Sequence, residues 1–253
     1  VGGSHILLDH ILLIMITVVW PVAEWRWYYP LSLRAIAAGM PAARARLYRN
    51  SVVPQWVLSA CIIALWVYRG RPWAALMPSP STLLRLGIAF GFAALIFALL
   101  LQQRRALFKR ANWPELVRRS LGHADALVPR TKGEYRGALL VAMTAGICEE
   151  LLFRGYMMWY FLAFWPGTRL GLAAAVIISA VLFGFGHIYL GVRQVGTSAI
   201  GGVLFAAIVL VADSLLPAMI LHAALDLNSF DLGYRAMRKT GEAGSSFAVA
   251  SAT

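Results

Sequence analysis

Glu149, Glu150 and Arg154 lie within an otherwise apolar run, Cys148-Glu149-Glu150-Leu151-Leu152-Phe153-Arg154-Gly155-Tyr156. Ionisable side chains at membrane depth cost about 2.5–3.5 kcal/mol each even on lenient insertion scales, so they are kept there mainly for function. On a helix Glu150 and Arg154 stand one turn apart, in the acid-before-base order that favours an i,i+4 pair. Glu149 projects about 100° away from them. The spacing predicts that Glu150 and Arg154 neutralise each other and that Glu149 is left free for chemistry. Further polar groups follow in apolar surroundings: His187 closes Phe183-Gly184-Phe185-Gly186-His187, and His222 and Asp226 sit one turn apart in a later segment.

Several kinds of chemistry suit such a set. Glu149, His187 and His222 could form a two-histidine, one-glutamate zinc site with an open water position. No H-E-x-x-H pair preorganises two imidazoles on one helix, which ranks zinc second. Buried Glu, Arg and His could also form a proton or ion relay in a transporter, or the polar core of a non-catalytic membrane scaffold. No inverted repeat is evident, and the polar residues cluster at one depth; both observations favour an enzyme. Cys148 adjoins the two glutamates but has no histidine at helical spacing, so a thiol nucleophile is the weaker reading.

The elements carrying these residues are membrane helices. The 253 residues are 60% hydrophobic, with a mean hydropathy of +0.70, too apolar for a soluble domain of this size. The chain reads as an all-α, polytopic helical bundle of about seven to eight transmembrane helices. A formal net charge of +12 is concentrated between the apolar runs, which marks membrane orientation and argues against nucleic-acid binding. Cys61 and Cys148 fall inside predicted spans as small buried hydrophobes and imply no disulfide framework.

Residues 6–23 are expected to form the first span. They lack the basic flank and cleavage site of a leader, and Asp9 and His10 lie near the outer end. Residues 24–50 mix arginines with Trp25, Trp27, Tyr28 and Tyr29, as in an amphipathic segment at the headgroup layer. Spans are expected at 51–68, with Pro54 in the first turn, and at 86–101. A long basic connection to Arg136 follows. Four closely spaced apolar segments come next, at 139–164, 170–189, 195–212 and 215–230. Small residues such as Gly184 and Gly202 permit close helix approach there. This divides the chain into an N-terminal membrane region (1–136), a four-helix catalytic core (137–230) and a polar, loosely ordered tail (231–253).

Placing the two most basic connections on the cytoplasmic side fixes the alternation of loops. Arg69, Arg71 and Arg85 are then left outside, against the bias. Glu149, Glu150, His187, His222 and Asp226 meet at one depth, in the cytoplasmic half of a plasma (inner) membrane.

Glu149-Glu150-x-x-x-Arg154, Phe183-x-x-x-His187 and His222-x-x-x-Asp226, in order and in successive segments over 141–228, resemble the three motifs of the CPBP family. That family comprises CAAX proteases and bacteriocin-processing enzymes, which are glutamate-dependent intramembrane endopeptidases. The resemblance implies that Glu149 is the general base and that His187 positions the same water, a sound pairing for peptide hydrolysis. His222 and Asp226 match the oxyanion-stabilising positions, while Glu150, Arg154 and Phe183 support the site. The best-known members carry Asn where this chain has Asp226. An ionised Asp cannot donate to an oxyanion, so Asp226 is either protonated or orients His222 from one turn away. No cofactor and no catalytic metal are implied. The expected partners are the lipid bilayer and a membrane-anchored protein or peptide cleaved near its C-terminus.

Overall fold

A computed structural model describes the backbone of residues 4–250 and side chains between residues 7 and 240. Nine helices and no strands are present among the described residues, an all-α membrane bundle as expected. Helix α1 covers 4–37, α2 Ala43–Tyr68, α3 Trp73–Leu76, α4 Leu83–Phe108, α5 Trp113–Leu121, α6 132–162, α7 Arg169–Phe185, α8 Val192–Ala212 and α9 Leu216–Ala250. Single 3₁₀ turns at Gly122–Leu127 and Ile188–Leu190 lie in two of the connections.

The apolar surface faces outward. On α4, Leu84, Ile88, Phe92, Leu95 and Leu99 are exposed, while Ala89 and Ala93 are the buried residues. A soluble fold would put charge on such a face, and a bilayer requires hydrocarbon there. Four helical stretches, Leu7–Ala37, Ala43–Tyr68, Leu83–Phe108 and Val192–Ala212, are long and apolar enough to cross a membrane, and α7 is a shorter apolar helix. Cys61 also faces outward; only Cys148 is the buried small hydrophobe expected of both.

The N-terminal region departs most from expectation. Residues 24–37 are not a separate interfacial segment, because they continue α1. Two π turns, Met15–Val19 and Glu24–Tyr28, each end just before a proline-containing turn. Pro21 and Pro30 have no N–H to give to the preceding turn, and the ladder accommodates them by lengthening locally: Trp20 donates to Met15 and Tyr29 to Glu24, five residues back. Similarly, α2 starts at Ala43, so Pro54 is interior to it and not in its first turn.

Helix α6 starts seven residues before its apolar run. The Thr131 hydroxyl accepts from the Glu134 N–H and the Glu134 carboxylate accepts from the Thr131 N–H, both at 3.1 Å, which closes a capping box. Thr168 caps α7 in the simpler way, accepting from the Gly171 N–H at 3.0 Å. Close helix approach depends on glycine at several contacts, among them one joining α6 to α9 and one joining α7 to α8. A Cβ on Gly146 of α6 would lie 2.8 Å from the Ala223 nitrogen and the Met219 oxygen of α9, and one on Gly184 of α7 would lie 2.5 Å from the Val195 oxygen of α8. From Asp231 the chain stays helical to Ala250 instead of forming a loose tail; residues 251–253 lie outside the described residues.

The arginines that opposed the charge bias are neutralised by local contacts. Arg71 holds Asp9 through two hydrogen bonds, at 2.9 and 2.6 Å, with its guanidinium 4.4 Å from the Trp159 ring. Arg85 pairs with Asp213 and donates to the Leu210 and Val211 carbonyls at 2.7 and 2.9 Å, closing the C-terminal end of α8.

Candidate active site

The glutamates lie in the middle of α6, where residues Ala145–Met157 wind as a π-helix. Such widened turns inside α-helices recur at functional sites. Glu150 and Arg154 form the expected ion pair at 3.0 Å, both buried. Arg154 is covered by two aromatic faces, its guanidinium carbon 4.3 Å from the Phe183 ring and 5.2 Å from that of Phe205.

Helix α9 brings His222 against this pair. Its Nδ1 lies 2.8 Å from Glu150 Oε1, the same oxygen that accepts from Arg154. With Nδ1 bonded to the carboxylate, Nε2 is turned toward Glu149 Oε2 at 3.8 Å and Asp226 Oδ2 at 3.9 Å. Phe205 of α8 stacks on the imidazole, centroids 4.8 Å apart and planes 14° apart. Glu150 is therefore shared by Arg154 and His222, a contact between segments that helical spacing within one segment cannot reveal.

Glu149 points elsewhere. Its Oε1 accepts from the Gln55 amide of α2 at 3.1 Å, and its buried Oε2 has no hydrogen-bond partner. It lines a cavity of about 340 Å³ together with Gln55, His187, Tyr189, Gln194 and Asp226. Ser120, Leu121, Ala124 and Leu127 of the long basic connection form the opposite wall of this space, and a smaller cavity of about 80 Å³ continues from Glu149 toward α1.

His187 follows the end of α7, with Nδ1 2.9 Å from the Phe183 carbonyl oxygen. Donation to a carbonyl fixes the proton on Nδ1 and leaves Nε2 as an acceptor. Phe183 supports both imidazoles, its ring centroid 4.9 Å from that of His187 and 5.9 Å from that of His222. Glu149, Glu150, Arg154, Phe183, His187, His222 and Asp226 thus converge on one region. Sequence reasoning missed Gln55, Glu24 and Tyr189, all of which reach the same cavities. A polar Gln55 inside the apolar 51–68 run was the available signal for the first of them. Among the described residues no three His, Cys, Asp or Glu side chains are arranged to hold a metal ion.

The fold and this cluster define a polytopic membrane protein with a buried, hydrogen-bonded assembly of carboxylates and imidazoles. Over residues 133–228 the chain matches the family described as Type II CAAX prenyl endopeptidase Rce1-like, in agreement with the CAAX protease family that its three motifs resemble. The matched segment runs from the start of α6 into α9 and contains Glu149, Glu150, Arg154, Phe183, His187, His222 and Asp226. Comparison with curated proteins and with solved structures gives no match.

Proposed function

We propose that the protein is a glutamate-dependent intramembrane endopeptidase that hydrolyses a peptide bond near the C-terminus of a membrane-anchored protein or peptide. The observation supporting this reading is the setting of Glu149: one oxygen is held by Gln55, the other is buried without a hydrogen bond 3.8 Å from His222 Nε2, and the residue lines a cavity shared with His187 and Asp226. A water in that space gives a proton to Glu149 Oε2 while its second hydrogen is accepted by His187 Nε2. The resulting hydroxide adds to the carbonyl carbon of the scissile bond. As the tetrahedral intermediate collapses, the C–N bond breaks and Glu149 returns the proton to the leaving amine.

His222 and Asp226 serve the oxyanion. Donation from His222 Nε2 requires a proton on both ring nitrogens, and Glu150, hydrogen-bonded to Nδ1, is the counter-charge for that imidazolium. Asp226, facing Nε2 at 3.9 Å, orients the ring. The larger cavity lies beneath the basic connection between α4 and α6, the side assigned to the cytoplasm by the excess of Lys and Arg. This supports substrate entry from the cytoplasmic face of a plasma membrane.

The test is cleavage of a membrane-anchored reporter by purified protein in bilayers, with products weighed by mass spectrometry. Wild type is expected to cleave, and Glu149→Gln, still folded by thermal unfolding, is expected to lose at least about a hundredfold in rate. Retained cleavage by the variant removes Glu149 as the base.

A further inference from the structure

Glu24 is a fourth carboxylate at this site, supplied from outside the segment that carries the family motifs. It is only 5% exposed and lies in the π turn that precedes Pro30 of α1. Among the described residues it makes no hydrogen bond or ion pair, and its Oε2 is buried. It lines the smaller cavity together with Trp20, Gln55, Glu149, His187 and Tyr189.

The charge around it is unbalanced. Glu24, Glu149, Glu150 and Asp226 face one guanidinium and two imidazoles. Arg154 is committed to Glu150, and His222 stands between Glu150, Glu149 and Asp226. His187 gives its Nδ1 to the Phe183 carbonyl. Tyr189, which lines the same cavity, and Tyr29, which packs against Tyr189, add no positive charge; the Tyr29 hydroxyl is bonded to the His123 carbonyl. A buried carboxylate with no partner is pushed toward its protonated form, and an opposite charge brought to it favours the ionised form instead. The cavity of about 80 Å³ holds roughly two or three waters' worth of atoms, which suits an ammonium or guanidinium head. The Trp20 ring at its edge offers an apolar, cation-tolerant wall.

We propose that Glu24 forms a cation-binding subsite of the peptidase, which receives a lysine or arginine side chain of the substrate beside the scissile bond. This rests on the peptidase reading above. Glu24 selects among substrates; Glu149 and His187 carry out the reaction on whichever one is seated.

The experiment compares two otherwise identical membrane-anchored peptides, one with lysine and one with Nε-acetyl-lysine, scanned through the positions flanking the cleavage point. Wild type is expected to prefer lysine by about tenfold or more in kcat/KM at one position, mostly through KM. In Glu24→Gln that ratio is expected to collapse toward one. An unchanged ratio in the variant, or no lysine preference in wild type, overturns the proposal. Should Glu24→Gln not fold, the wild-type ratio alone decides. Should wild type cleave neither peptide, the peptidase reading fails separately, and the affinities of wild type for the same two peptides then decide whether the cation subsite exists: equal affinities overturn it.

Discussion

Gln55 donates its side-chain amide to Glu149 across 3.1 Å, joining α2 to α6 over ninety-four residues of sequence. The contact fixes one carboxylate oxygen and leaves the other without a hydrogen bond, 3.8 Å from His222 Nε2, so the N-terminal half of the chain completes a site whose motifs all lie in the C-terminal half. Gln55→Leu, close in volume and without the amide, frees the carboxylate to rotate. A tenfold or greater fall in kcat is expected, with KM within about threefold, because the lost contact orients the base and does not hold substrate. Steady-state kinetics on the reporter separate the two parameters, and an effect confined to KM would assign Gln55 to substrate binding instead.

The pair Glu150–Arg154 is fully enclosed, and Glu150 also accepts from His222. Removing one partner of a buried ion pair leaves the other charge uncompensated, at a cost of about 3–5 kcal/mol. Arg154→Met is therefore expected to lower the thermal midpoint strongly. The double variant Glu150→Gln, Arg154→Met is expected to recover part of that loss, since no carboxylate is then buried without its guanidinium; the part not recovered is the lost Glu150–His222 contact. Unfolding curves for the two singles and the double form the cycle, and simple additivity would show that the pair does not act as a unit.

The Asp226 carboxylate faces His222 Nε2 without reaching hydrogen-bond distance, at a position where the motif resemblance leads one to expect Asn. Asp226→Asn keeps the shape and supplies an amide donor, so at least about a third of the wild-type rate is expected to remain. Asp226→Ala removes the group that orients His222 without supplying a donor in its place and is expected to cost about a hundredfold, on the scale of a lost oxyanion contact. Equal losses in the two variants would show that the negative charge itself is needed.

Much of this was legible because helical spacing works within a segment. Glu150 and Arg154 pair at i,i+4, and Phe183 and His187 pair the same way through ring and carbonyl contacts. Contacts between segments have no such period, which is why Gln55 on Glu149 and His222 on Glu150 escaped notice. Glu24 was obscured by its neighbours: Trp25, Arg26, Trp27 and Tyr28 read as an interfacial stretch, whereas they continue α1 through a π turn. The start of α6 was in fact written in the sequence as Thr131-x-x-Glu134 before an apolar run, a capping signature that hydropathy alone passes over.

Gly146 sets the distance between the two helices that carry the glutamates and His222. A methyl group there would meet the Ala223 nitrogen and the Met219 oxygen at 2.8 Å, and backbone cannot yield as a flexible side chain can. Gly146→Ala is expected to destabilise by about 1–3 kcal/mol and to cut activity, because pushing α9 away carries His222 off Glu150. Gly201→Ala is the control: the nearest atom to its added methyl is on the Phe205 ring, 4.0 Å away, and little change is expected. Thermal unfolding and reporter cleavage of the two variants side by side test the pair, and equal behaviour would show that the α6–α9 approach is not limiting.

At the other end of the bundle Arg71, Asp9 and Tyr156 tie α1, α6 and the connection after α2 together. Arg71 binds both oxygens of Asp9, the Tyr156 hydroxyl donates to the same carboxylate at 3.1 Å, and the guanidinium lies over Trp159. Lysine keeps the charge but cannot reproduce a planar fork stacked on an indole. Arg71→Lys is expected to lower stability by about 1–3 kcal/mol. None of these residues lines the cavities that hold Glu149, so the rate per folded molecule is expected to stay within twofold of wild type. A variant that unfolds no earlier yet cleaves more slowly would contradict the separation of this brace from the chemistry, and would mean that the end of α6 near Tyr156 transmits its position to Glu149.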